Sequence, residues 1–149
     1  MCDSIYGEYI SITDKYIKEY GEKTILLLQV GAFFEVYGFR NEKGDVQDSN
    51  ICEFSRICNL NISEKKATYN EKQVLMAGFR DYTIDKYLEK LTTSGYTAVV
   101  YVQEKTGSEI KRVFDSVHSA GTYISYDSET QDKITNNIAC IWIDVYKPV

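Results

Sequence analysis

With 149 residues, of which 44% are hydrophobic and 26% charged, the chain is long enough for one domain with its own core and ordinary in composition for a globular protein. A formal net charge of -5 excludes tight non-specific attachment to nucleic acid through charge alone, because phosphate neutralisation by Lys and Arg supplies most of that affinity. No run approaches the roughly 18–20 apolar residues of a membrane span and no signal peptide opens the chain, while four cysteines without a CxxC pair beside the lone His118 read as free, mostly buried thiols and not as a zinc site.

Ile5, Tyr9, Ile12, Tyr16 and Tyr20 recur at three- and four-residue steps, with Asp3 or Ser4 ahead as a cap and Gly21 behind as a stop; this spacing predicts an amphipathic helix over residues 4–20. Thr24 to Gln29 is an apolar run of strand length, Phe33 to Phe39 a second strand after Gly31, and Asn41 to Asp45 the turn that follows. Asp48 or Ser49 caps a short helix with Ile51, Phe54, Ile57 and Cys58 on one stripe, ended by residues 59–61. Residues 63–72 are polar, basic and aperiodic, which predicts a loop. Gln73 to Met76 reads as a short strand and Gly78 as a turn or a close backbone approach. Thr83 opens a helix bearing Ile84, Tyr87, Leu88 and Leu91 that stops at Gly95.

Tyr96 to Gln103 and Ile110 to Val117 are β-rich on either side of a KTGSE turn and predict a hairpin. Together these elements predict an α/β fold, a mixed β-sheet packed with about three helices and without a regular βαβ repeat. Beyond the polar, acidic stretch 125–137, Ile138 to Val145 reads as a hydrophobic strand with no local partner. The chain is therefore expected to be a fragment that ends in the first strand of a following domain.

Period-two alternation places Phe33, Glu35 and Tyr37 on one face of the second strand and Phe34 and Val36 on the other, with one set expected in the core. A Phe-x-Glu on a strand fits a ring packed under a helix with its acid at a wet edge. It also fits, less commonly, an exposed ring beside a glycine that acts as a wedge, since aromatic stacking on a base contributes about 1–3 kcal/mol and apolar wedges bend a duplex at the step they open. A carboxyl group facing a base acceptor in a desolvated groove would have to carry its proton to donate.

Two other functions fit parts of the sequence. Glu64-Lys65-Lys66 and Glu109-Ile110-Lys111 match the E-x-K half of metal-dependent nuclease sites, with Asp48 or Asp85 as a distant carboxylate, although such triplets are common in a chain rich in Lys and Glu. A protein-interaction module with a tyrosine-rich surface and Phe33 in its core is the other reading, since the chain holds 13 tyrosines.

Gly31-Ala32-Phe33-Phe34-Glu35 resembles the G-D-F-Y-E motif of the MutS family of DNA mismatch repair proteins. It is joined in the family's order by YIKEY (16–20), MAGF (76–79), IDKYLEKL (84–91), YVQE (101–104), AGT (120–122) and NNIACIWID (136–144). The resemblance implies a mismatch-recognition domain over residues 1–122, followed over 123–149 by a linker and the first connector strand. By the same resemblance Phe33 is the intercalating ring and Glu35 the acid that hydrogen-bonds the mispaired base. Lys65, Lys66 and Lys72 fall where the family places basic groups near the DNA backbone, and Met76 and Gly78 where the minor groove would pass.

The implied partner is double-stranded DNA with mismatches or small loops, wherever in the cell DNA is replicated, with no membrane involved. No G-x-x-x-x-G-K-[ST] occurs, so this stretch is expected to hold no catalytic residue, metal or cofactor. ATP and Mg²⁺ would belong to the full-length protein, expected to be an ATPase and a dimer. Ala32 stands where the family has Asp, Phe34 where it has Tyr, Arg80 where it often has Pro, and Ala120 where Pro precedes Gly-Thr. These departures suggest a divergent branch, organellar or from a large DNA virus, and leave Phe-x-Glu intact.

Overall fold

The computed structural model describes residues 4–47, 49–107, 109–123 and 139–145. Helix α1 (Ile5–Tyr20) starts where the Ser4 hydroxyl accepts the Tyr6 N–H at 3.3 Å and ends where the Gly21 N–H reaches the Ile17 carbonyl at 2.8 Å. Strands β1 (Thr24–Val30) and β2 (Phe33–Arg40) form a hairpin, and a two-residue β3 (Val46–Gln47) pairs with the end of β2. Next come α2 (Ile51–Cys58), β4 (Ser63–Tyr69), β5 (Lys72–Arg80), one 3₁₀ turn (Asp81–Thr83) and α3 (Ile84–Thr93). Strands β6 (Thr97–Thr106) and β7 (Glu109–His118) complete the described elements as an antiparallel hairpin.

The strands make one mixed sheet of order β4-β5-β2-β1-β6-β7, in which β1 and β6 run parallel and the other neighbours antiparallel. Helix α1 lies on one face, where the Tyr9 hydroxyl donates to the Leu26 carbonyl at 3.2 Å and Tyr6 meets Tyr37 edge-on at 5.2 Å. Helices α2 and α3 supply the other layer, where Phe79 stacks on Tyr87 at 4.1 Å and lies 6.3 Å from Phe54. With both faces covered, the central β1 buries Ile25, Leu26, Leu27 and Leu28 alike, which explains its unbroken apolar run. For the same reason β2 buries Phe34 and Val36 on one face and Glu35 and Tyr37 on the other, where alternation alone predicts one core set.

The expected mixed sheet with three helices is what the described residues form, yet several local expectations need correction. Residues 63–72 are not a loop: β4 and β5 form a hairpin around Asn70 and Glu71, whose φ values of 49° and 63° suit a two-residue turn of the kind that matches strand twist. Strand β4 is an edge, and its alternation is written in half-buried Lys65, Ala67 and Tyr69 against exposed charges that discourage edge pairing. Strand β5 runs four residues past Met76, so Gly78 lies within a strand and marks close approach, not a turn. No strand forms over residues 139–145, where Ile141, Trp142, Ile143 and Val145 are exposed and no sheet edge reaches them, and Ile138 lies outside the described residues.

Asp48, one expected cap of α2, also lies outside the described residues; the N-cap is Asn50 and not the alternative Ser49, whose hydroxyl accepts the Ile51 N–H at 3.2 Å from one residue further out. The Asn50 amide donates to the Glu22 and Thr24 carbonyls at 2.7 and 2.9 Å and so ties α2 to the start of β1. Thiol burial is narrower than expected, since Cys52 and Cys140 are exposed and only Cys58 among the described cysteines is buried, which pushes its thiol up to about 12. Among the described residues no helix is long and apolar enough to cross a membrane.

Candidate nucleic-acid interface

Gly31 and Ala32 turn the chain from β1 into β2, and Gly31 adopts φ 61°, a left-handed conformation that costs a residue with a Cβ. The turn is held from two sides. The Gly31 N–H donates to Gln103 Oε1 at 3.0 Å, while Gln103 N–H donates to Gln29 Oε1 at 2.9 Å. On the other side the Asp81 N–H donates to the Ala32 carbonyl at 3.0 Å. Neighbouring strands therefore fix the start of β2, and with it the direction in which Phe33 projects.

Alternation separates the two phenylalanines completely. Phe34 is 4% exposed and packs on Phe79 at 5.9 Å, whereas Phe33 keeps 40% of its surface exposed. The rings of α1 reach Tyr37 and Phe39 further along the same face, and Phe33 lies beyond them. Across β5 its register partner is Arg80, whose guanidinium sits 5.1 Å from the ring centroid. A contact of this kind contributes about 0.5–1 kcal/mol at an exposed site. Arg80→Ala is therefore expected to lower stability by about that amount, read from the midpoint of urea denaturation, because the guanidinium shields one side of the ring.

Glu35 is 8% exposed, and both of its neighbours donate to the same oxygen: the Tyr37 hydroxyl reaches Oε2 at 2.5 Å and Lys65 Nζ reaches Oε2 at 2.9 Å. Burial, and next the adjacent carboxylate, push the Tyr37 phenol well above its ordinary range, so it stays a donor. The Lys65 ammonium also lies 5.2 Å from the centre of the Tyr37 ring. Opposite Glu35 on β5 stands Gly78, where a Cβ would come within 2.6 Å of the Phe34 carbonyl oxygen and 3.5 Å of Glu35 Cγ.

One strip across three strands thus gathers Phe33, Glu35 and Tyr37 from β2, Met76, Gly78 and Arg80 from β5, and Lys65 from β4. Met76 faces Tyr37 across the strands and is half-buried. Lys66 is not in the strip, since alternation turns it to the opposite face of β4, where it is exposed. Lys72 begins β5, roughly 26 Å from Arg80 by the rise of an extended strand, and so stands apart from Phe33. Sequence reasoning noted Arg80 only as a departure and Tyr37 only as a face-mate; pairing Arg80 with Phe33 needs the register of β2 on β5.

The elements of the nuclease reading lie apart. Glu64 Oε1 accepts Arg40 at 2.6 Å on edge strand β4, Glu109 opens β7 at the opposite edge, and Asp85 lies in α3 beside the Tyr123 hydroxyl. Among the described residues no three His, Cys, Asp or Glu side chains come together as a metal site would need. The interaction-module reading required Phe33 in the core, and its ring is not there.

The family model of MutS domain I matches residues 14–127. A putative DNA mismatch repair protein, a mutS homolog of Acanthamoeba polyphaga mimivirus, is 32% identical over 149 residues, 97% of this chain and 13% of the relative. The DNA mismatch repair protein MutS of Thermosipho melanesiensis is 26% identical over 129 residues, 84% of this chain and 13% of that protein. The chain spans about an eighth of the length of these curated relatives.

Proposed function

Because this chain belongs to the MutS family of DNA mismatch repair proteins, through its domain I, we propose that it reads mispaired bases by inserting Phe33 into the base stack while Glu35 hydrogen-bonds the displaced base. The observation that carries this reading is the exposed Phe33 ring on a turn held from two sides, with a nearly buried carboxylate two residues on along the same face. A wedge must be presented rigidly, because freedom at the tip would spend its stacking energy on ordering. The hydrogen bonds from Gly31 to Gln103 and from Asp81 to Ala32 supply that rigidity.

A mispaired step costs less to open than a paired one, so a wedge of fixed stacking strength favours the step already weakened. With a net charge of -5 this stretch offers little grip on phosphates, and Arg80, Lys65, Lys66 and Lys72 are local exceptions. Affinity would come from the rest of the full-length protein, taken to be a dimer with its P-loop ATPase, ATP and Mg²⁺ further along the chain. Residues 1–122 would form the recognition domain and 123–149 the linker and start of the connector. Met76 and Gly78 would line the minor groove beside the wedge, and the protein would act wherever DNA is replicated.

A duplex carrying 2-aminopurine next to a single mismatch tests the reading. Opening of the step should raise the fluorescence of the analogue when the full-length protein binds, with a smaller change on a fully paired duplex. Binding with no fluorescence change at the mismatch would overturn the wedge.

A further inference from the structure

We propose that Arg80 is a groove-reading residue: carried into the minor groove beside Phe33, its guanidinium contacts the base pair next to the mismatch and favours flanks whose groove edge presents only acceptors. The inference rests on the reading that Phe33 enters the base stack. It adds a preference for sequence context that a wedge alone does not supply.

Arg80 is the register partner of Phe33 on β5, so the two side chains leave the same face of the sheet as neighbours, and the guanidinium lies over the ring at 5.1 Å from its centroid. The main chain at this point is fixed on both sides. The Asp81 N–H donates to the Ala32 carbonyl at 3.0 Å, and the Thr83 hydroxyl donates to the Arg80 carbonyl at 2.6 Å. The guanidinium itself is uncommitted: Arg40, Arg56 and Arg112 are held by Glu64, Glu53 and Glu8 at 2.6, 2.6 and 3.5 Å, whereas no carboxylate among the described residues pairs with Arg80. Even the adjacent Asp81 accepts the Tyr82 N–H on Oδ1, at 2.8 Å. Lys65 is engaged by Glu35 and Lys66 faces the other way, so Arg80 is the charge that travels with the ring.

Donor chemistry decides what this charge reads. Proteins that bind the minor groove insert apolar wedges from it, and the groove is about 6 Å wide, so a cation held 5.1 Å from the ring centre enters with the ring. As a base pair closes on that face of the ring, the guanidinium yields its place and moves outward to that pair's groove edge. An arginine offers five N–H donors, no acceptor and a permanent charge. In the minor groove A·T pairs present only acceptors, adenine N3 and thymine O2, while G·C pairs add the guanine 2-amino donor. The guanidinium therefore finds partners on the first and meets another donor on the second. Narrow A·T-rich grooves also carry a stronger negative potential, which acts in the same direction. Arg80 stands where the family often has Pro, which has no side-chain donor, so the contact is an addition of this chain.

The test is competition binding of the full-length protein to duplexes that carry one mismatch beside either a G·C or a hypoxanthine·C pair. Hypoxanthine removes the 2-amino group from the minor groove and leaves the major-groove edge of the purine unchanged. Its easier opening acts on every variant alike and cancels between them. Wild type should favour the hypoxanthine flank by about 3- to 10-fold more than Arg80→Ala does, the worth of roughly one hydrogen bond. Arg80→Gln, which carries an acceptor as well as donors, should lose the preference too. Arg80 is exposed, so both variants should stay folded, with urea denaturation as the check. Equal flank preference in wild type and Arg80→Ala would overturn the proposal. So would an equal loss on both flanks with a salt dependence weakened by about one counterion, which marks a phosphate contact. Phe33→Ala separates this proposal from the reading beneath it: full mismatch preference in that variant defeats the wedge, whereas lost preference with a flank ratio that Arg80→Ala does not move defeats only the groove contact.

Discussion

Phe33→Ala is expected to leave the chain folded and to remove most of its preference for mispaired over paired duplex. The ring is 40% exposed, and its contact with Arg80 is the kind that contributes about 0.5–1 kcal/mol, so the stability lost should stay well below the roughly 3–5 kcal/mol of a buried Phe→Ala change. The same ring stacked on a base would contribute about 1–3 kcal/mol, which corresponds to roughly 5- to 150-fold in relative affinity. Phe34→Ala is the matched control, because that ring is 4% exposed against Phe79 and its removal should approach the full core penalty. Urea denaturation of both variants, with competition binding of the full-length proteins to mismatched and paired duplexes, reads the contrast. A Phe33→Ala protein as destabilised as Phe34→Ala would show that the ring belongs to the core.

That contrast between adjacent phenylalanines was half legible in the sequence. Period two says that Phe33 and Phe34 point apart, but not which faces a helix, since that depends on where α1 ends relative to β2. Elements whose apolar residues repeat regularly were legible: α1 through Ile5, Tyr9, Ile12 and Tyr16, α3 through Ile84, Leu88 and Leu91, and the β6–β7 hairpin through its β-branched residues. Strand β4 was not, because an edge strand half in water is written in Lys, Glu and Thr, and its partner β5 supplies the order that its composition hides. The missed strand had the largest consequence at the site. Lys65 read as part of a loop has no defined direction, whereas Lys65 on β4 bridges 30 residues of sequence to the Glu35 carboxylate. Arg80 over Phe33 was hidden for the same reason, since cross-strand pairs follow from register and no local pattern encodes it. The resemblance of residues 31–35 to a family motif supplied the roles proposed for Phe33 and Glu35, and their surroundings came from the sheet.

The second large effect is expected at Gly78, where alanine should cost about 1–3 kcal/mol of stability and also degrade recognition. A Cβ there would lie 2.6 Å from the Phe34 carbonyl oxygen and 3.4 Å from Glu35 Cα. The first is a backbone atom inside the β2–β5 ladder, so relief requires the two strands to separate instead of a side chain swinging aside. Gly→Ala in a compatible conformation stabilises by about 0.4–1 kcal/mol through the unfolded chain, which offsets only part of the clash. Because the displaced backbone carries Phe34 and Glu35, the wedge turn and the carboxylate should shift with it, and an ångström at such a site is enough to lose a hydrogen bond. Gly31→Ala isolates the alternative cause, since its Cβ would meet nothing within 4 Å and its cost is the positive φ alone. The ratio of mismatched to paired binding should therefore fall further for Gly78→Ala than for Gly31→Ala at equal loss of stability, measured by paired urea denaturation and competition binding. Equal ratios at equal stability would mean that Gly78 serves the sheet and not the placement of Glu35.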